Sequence, residues 1–182
     1  LGRLIMCTAA TYKTDDFYMG RTLDYEFSYG EEITVMPRRF PLEFRHGGRT
    51  DEHYAIIGTA HVSDGYPMYY DAVNEKGLGM AGLNFAVSAH YAEPQDSKQN
   101  IAQFEFIPWV LSQYATIEQA RSAIEKINLV GTTFDSRYPA AKMHWIIADK
   151  SGAITVEPTE SGLKIYDNAP GEIGRASCRE RV

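Results

Sequence analysis

The sequence predicts an α+β fold in which antiparallel strands fill both halves and helices lie between them. Three observations carry this. In the first half, EITVMP (32–37), HYAIIGTAHV (53–62), MYYDAVN (68–74) and LGMAGLNF (78–85) are rich in β-branched and aromatic residues. In the second half, KMHWIIADKSGAITVEPTESGLKIYDN (142–168) reads as a three-strand meander with turns at DKSG and TESG. Between them, IAQFEFIPWVLSQYATIEQARSAIEKINL (101–129) has helical character, and strands, then helices, then strands again is the α+β order.

Each element has its own local justification. CTAATYK and FYMGRTLDYEF read as consecutive antiparallel strands joined by a TDD turn, which returns Arg21 and Asp24 to the start of the first. NEKG (74–77) makes the hairpin turn between the strands at 68–74 and 78–85, with Gly77 free to take a positive φ. AHYAEPQDSKQN (89–100) is polar and reads as a loop. Within the helical block, Pro108 suits a first turn. Thr116 followed by Gln119 fits a capping box, and Ile117, Ala120, Ile124 and Ile127 recur on one helical face.

Length and composition narrow the classes of function. A chain of 182 residues, 44% hydrophobic and 23% charged, suits one globular domain. A net charge of −6 argues against a nucleic-acid partner, whose ligand would call for a basic patch. No run reaches the ~18 apolar residues of a membrane span. Two cysteines, Cys7 and Cys178, make no disulfide framework, so a cytoplasmic location is expected. Neither lies in a C-x-x-C pair and the five histidines lack H-x-x-x-H spacing, so neither a metal nor another cofactor is expected. The domain is expected over 1–170, and GEIGRASCRERV (171–182) departs from the preceding pattern as a disordered or non-native tail.

Cys7 is the residue most open to a chemical role. Free cysteine commonly serves as a small buried hydrophobe, but a neighbouring guanidinium lowers a thiol's pKa and raises its thiolate fraction. The hairpin brings Arg21 and Asp24 to Cys7, although spacing alone favours two ordinary solvated strand-end charges. A free α-amino group has a reference pKa of about 7.7–8.0, suited to a general base at neutral pH. Were Cys7 the first residue, its own amine would take the thiol proton, and Asp24 would hold that amine. Asn84, ending a glycine-rich strand, is either a turn former or an oxyanion donor. No histidine stands out as the base of a papain-like pair.

The stretches MCTAATYKTDDFYMGRTLDYEFSYGEEITVMPR, NEKGLGMAGLNF, NIAQFEFIPWVLSQY and HWIIADKSGAITVE resemble the choloylglycine hydrolase family, the bile salt hydrolases and penicillin V acylases among the N-terminal nucleophile hydrolases. The resemblance runs from Met6 to about Asn168. It implies a four-layer αββα sandwich of two antiparallel sheets with outer helices, here lacking its C-terminal part. It also implies a cysteine freed by methionine removal and an amide cleaved through a thioester. Carried over, Cys7 is nucleophile and base, Arg21 lies against the thiol, Asp24 anchors the amine and Asn84 serves the oxyanion or substrate site. AGLNF is closer to the bile salt hydrolases, so the implied substrate is a glycine- or taurine-conjugated bile acid. Its steroid calls for a broad apolar pocket, to which Met19, Phe27, Leu83, Phe85 and Phe134 are candidates, with 132–145 as a loop at the mouth. The resemblance further implies a homo-oligomer, a tetramer.

Two features depart from the family pattern. Leu1–Ile5 precede the methionine, which suggests Met6 as the initiator. The family continues past Asn168, where further active-site residues arise, so the chain is expected to expose an apolar sheet face and to be poorly soluble or inactive alone. Cleavage of penicillin V or of another N-acyl compound, such as an acyl-homoserine lactone, is the enzymatic alternative. A fragment that only binds amphipathic ligands is the non-enzymatic one.

Overall fold

The computed structural model describes residues 7–24, 28–85 and 88–169, together with the backbone of Glu172–Ile173. Strands β1 (Thr8–Lys13) and β2 (Phe17–Thr22) form the expected N-terminal hairpin. Its tip is tied by the Thr14 amide donating to Asp16 O at 2.8 Å. Then come β3 (Glu32–Met36), β4 (Leu42–Phe44), β5 (Gly48–Thr50), β6 (Ile56–Ser63), β7 (Tyr66–Asn74) and β8 (Gly79–Asn84). Strand β9 (Gln99–Ala102) leads through one 3₁₀ turn into α1 (Phe106–Gln113) and α2 (Ile117–Ile124), followed by β10 (Ile127–Val130). The meander is β11 (Met143–Asp149), β12 (Gly152–Thr159) and β13 (Gly162–Asp167), and β14 (Glu172–Ile173) closes the order.

Seven strands form one antiparallel sheet, in the order β13-β12-β11-β8-β7-β6-β3. A smaller sheet runs β14-β1-β2. Both predicted halves therefore meet at β8 and β11, where Ala81 lies opposite Ile146 and Leu83 opposite His144. The ends of the helical block are corrected. Residues 101–102 and 127–129 of that block, and residues 99–100 read as loop, belong to β9 and β10, which pair in parallel with Leu129 opposite Ile101. Short apolar runs carry no period that separates strand from helix, and here the parallel pair brackets the two helices. Glu172 and Ile173, inside the stretch expected as tail, pair with Ala10 and Ala9 of β1. Residues 174–182 and Leu1–Met6 lie outside the described residues.

Alternation along the strands sorts the large sheet into two faces. One carries Met36, Ile56, Met80, Trp145, Ile147 and Val156 into the main core, where α1 and α2 cover them. Residues 106–112 of α1 are all buried, and Phe106 meets Trp145 edge to face at 4.8 Å. Pro108 sits in the first turn, where no intrahelical donor is lost. The cap of α2 is as predicted on one arm, Gln119 N donating to Thr116 Oγ1 at 3.3 Å. The returning arm reaches one residue further back, Gln119 Oε1 accepting from Ala115 N at 2.9 Å.

The opposite face carries Ala81, Leu83 and Ile146, and the β1–β2 hairpin lies over it. The hairpin packs closely on β8: a Cβ at Gly79 would sit 2.9 Å from Met19 Sδ. Further along the same face nothing covers Ile33 and Val35, 71% and 61% exposed, nor Ile57 and Val73, among the described residues. Register places these on adjoining strands, Val35 opposite Ile57 and Ile57 opposite Val73. The expected apolar sheet face is present.

Candidate active site

Cys7 immediately precedes β1, is 7% exposed, and packs with Ala9, Ala81, Leu83 and Ile146. Antiparallel register sets Ala9 opposite Arg21 and Thr8 opposite Thr22, and the Thr8 amide donates to Thr22 Oγ1 at 3.0 Å. Cys7, Ala9, Met19 and Arg21 therefore share the face of the hairpin turned toward β8. Arg21 is held there: its Nη2 donates to Gly82 O at 2.7 Å and its side chain is 7% exposed. Its Nε and Nη1 are buried without hydrogen-bond partners. Among the described residues its nearest carboxylate is Asp71, whose Oδ2 lies 3.7 Å from Nε. Sequence reading missed Asp71, which stands in MYYDAVN with nothing to set it apart until register places it opposite Ala81.

The other sequence candidates divide into separate places. Asp24 is exposed, two residues beyond β2. Leu83 is buried in the Cys7 cluster. Phe85 is buried and stacks on His144 with ring centroids 4.7 Å apart. Phe27 lies outside the described residues. Asn84, the exposed last residue of β8, and Phe134 line one cleft of about 380 Å³, together with His61, Met68, Tyr70 and Tyr138. Cys7, Met19 and Arg21 are not on its lining; the link is β8, which carries Leu83 into the thiol cluster and Asn84 into the cleft.

The loop of residues 131–142 forms one wall of that cleft and is fastened at several points; the last three residues of the stretch read as a loop (132–145) belong instead to β11. Arg137 reaches Asp64 at 2.7 Å in the β6–β7 turn and Asp135 at 2.5 Å in its own loop. His61 Nε2 and Tyr138 Oη are 2.9 Å apart. Tyr91 Oη donates to Ala141 O at 2.6 Å and accepts from Met143 N at 3.0 Å, and burial pushes this phenol well above its usual range. Arg45, in the β4–β5 turn, donates to Phe134 O at 2.9 Å and stacks its guanidinium over the Phe104 and Phe134 rings. Behind this wall Glu105 is almost wholly buried, and burial pushes its carboxyl up to about 7 even though it accepts the Arg45 amide at 2.5 Å.

Fold and site together define an α+β protein on an antiparallel sheet, with one buried thiol and one buried guanidinium brought onto the same face and an aromatic cleft, separately lined, at the end of β8. The family described as linear amide C–N hydrolases, choloylglycine hydrolase family, matches residues 7–175. The chain belongs to this family. It is 48% identical over 166 residues to the bile salt hydrolase/transferase of Lactiplantibacillus plantarum, covering 91% of this chain and 51% of that protein. A solved structure of a cysteine-to-alanine mutant of the conjugated bile acid hydrolase from Clostridium perfringens superposes with a TM-score of 0.86 at 34% identity, covering 92% of this chain and 53% of that one. The penicillin V acylase from Agrobacterium tumefaciens shares the fold, with a TM-score of 0.73 at 20% identity over 92% of this chain and 51% of its own. The chain spans about half the length of these relatives.

Proposed function

We propose that this chain carries the nucleophilic half of a hydrolase that cleaves the amide bond of glycine- or taurine-conjugated bile acids. The observation that carries the proposal is the placing of buried Cys7 and buried Arg21 on one face of the β1–β2 hairpin, with Arg21 anchored to the Gly82 carbonyl. Two further observations support it: the family match begins at Cys7 itself, and relatives at 34–48% identity are described as bile acid or bile salt hydrolases. The acylase described for penicillin V stands further off, at 20% identity.

In this reading Cys7 is the first residue of the mature protein. Its α-amine accepts the thiol proton, the sulfur attacks the amide carbonyl, and the protonated amine then delivers that proton to the departing glycine or taurine nitrogen. The acyl group stays on sulfur as a thioester. Water, deprotonated by the same amine, attacks the thioester, and the regenerated thiolate takes the proton back as the bile acid leaves. Arg21 favours the thiolate through its charge. Asn84, at the end of the strand that carries Leu83 into the thiol cluster, would donate to the carbonyl oxygen as negative charge develops there. Asp24 would hold the amine. The steroid lies in the cleft walled by Phe134 and Tyr138, whose aromatic lining suits a rigid apolar body. The second half of the family's length would complete the smaller sheet and the outer helices of a four-layer αββα sandwich.

Product analysis tests this with taurocholate, glycocholate and penicillin V offered in parallel. Release of taurine and glycine, lost in Cys7→Ala, is expected. Preferential cleavage of penicillin V would move the substrate assignment to the acylase branch, and no cleavage of any amide would overturn it.

A further inference from the structure

The Arg21 guanidinium is gripped from the large sheet at two of its three nitrogens. Nη2 donates to Gly82 O at 2.7 Å, and Nε faces Asp71 Oδ2 at 3.7 Å, too long for a hydrogen bond but close enough for charge to act. Asp71 lies mid-strand in β7, opposite Ala81 and Thr59, so it projects on the face that carries Ala81 into the Cys7 cluster. A buried cation is costly unless paired, and Asp71 is the one carboxylate within 4 Å of Arg21 among the described residues. Nη1 remains buried and undonated.

We infer that Asp71 is a positioning residue, which keeps the Arg21 guanidinium inside the site so that Nη1 stays available to the thiolate or to the acyl group bound beside it. The inference rests on the reading of Cys7 and Arg21 given above. The gap of 3.7 Å suits that task, because Asp71 restrains the cation by charge without consuming its donors. Nothing in the local sequence marks the residue; only the register of β7 on β8, and of the hairpin over β8, brings it there.

The sign of a thiol titration separates positioning from a simple charge effect. Were the guanidinium to stay in place, removing the Asp71 anion would favour the thiolate and lower the thiol's midpoint. If Asp71 is what holds Arg21, its loss leaves an unpaired buried cation that moves out toward water, and the midpoint rises. The experiment follows alkylation by iodoacetamide against pH, read on the peptide containing Cys7, in the full chain and in Asp71→Asn, Asp71→Ser and Arg21→Leu. The two Asp71 variants are read together so that a folding failure in one leaves the other. The inference predicts that the midpoint rises by about one unit in the Asp71 variants, with Cys7 reacting roughly tenfold more slowly near pH 7. It predicts a rise at least as large in Arg21→Leu, with no further rise in the Asp71→Asn/Arg21→Leu double variant. An unchanged or lowered midpoint in the Asp71 variants, while Arg21→Leu raises it, overturns the inference and leaves the site reading standing. No shift in any variant overturns both. Bile acid cleavage is no part of the readout, so its absence bears on the proposed substrate alone.

Discussion

Glu105 shows at the scale of one residue how the wall of the cleft depends on proton occupancy. Its Oε1 accepts the Arg45 amide while Oε2 is buried without a partner, and burial outweighs those bonds to hold the carboxyl at about 7. The folded chain therefore binds this proton more tightly than the unfolded chain does. Stability is fully present below the ordinary carboxyl value of 4.5 and is lost as pH rises through about 7. The shift corresponds to a loss on the order of 3 kcal/mol. Glu105→Gln keeps an acceptor for Arg45 and carries no charge, so urea unfolding from pH 5 to 8 should show a shallower decline in the variant, with the variant the more stable at pH 8. Equal slopes would remove Glu105 as the source. Sequence alone gave no sign of this, because a glutamate in IAQFEFIPW reads as a helix-start residue until its surroundings are known. Cys7 and Arg21 were legible as a pair because hairpin register follows from the turn. Asp71 was not, because its partner comes from a different sheet.

The β7–β8 hairpin gives the clearest case at the scale of an element. NEKG was readable as a turn, and Gly77 does take a φ of 87°. Its first residue does more than turn the chain. Buried Asn74 accepts from the Lys76 and Leu78 amides at 3.0 and 3.1 Å, and its Nδ2 donates to Leu111 O and Tyr114 O, both at 2.8 Å. One amide group thus closes the hairpin and takes up carbonyls at the end of α1, where intrahelical donors have run out. Asn74→Ala strands these groups, so chemical denaturation should show a loss of roughly 2–4 kcal/mol; a loss below 1 kcal/mol would mean water replaces the side chain. The helical face of Ile117, Ala120 and Ile124 was equally legible, and all three are buried. What failed at this scale was the boundary at Ile127. A residue on the continuing helical period lies instead in β10, because pairing with β9 offers its backbone partners that a further turn would leave to solvent.

Among the described residues, the large sheet has one well-covered face and one half-covered face. Helices α1 and α2 close the first over Trp145 and Met80, whereas the β1–β2 hairpin closes the second only across β8 and β11. The open row of Ile33, Val35, Ile57 and Val73 is a contiguous apolar patch next to an edge strand, the arrangement that favours association. Light scattering should therefore show concentration-dependent association that falls in Ile33→Thr/Val35→Thr, with an unchanged melting temperature; association equal in both would place the contact elsewhere. The antiparallel plan of both halves was visible in the strand runs and turns, while the split into a large and a small sheet was not, since it depends on which strands pair across the chain. The central claim is that the sulfur of Cys7, at the head of the β1–β2 hairpin, takes the acyl group with its own amine as base. Mass spectrometry of acid-quenched protein during glycocholate turnover tests it most directly. The account predicts an N-terminal peptide that begins at Cys7 and carries a hydroxylamine-labile cholyl thioester. Turnover by protein that retains residues ahead of Cys7 and shows no acyl group on that peptide would contradict it.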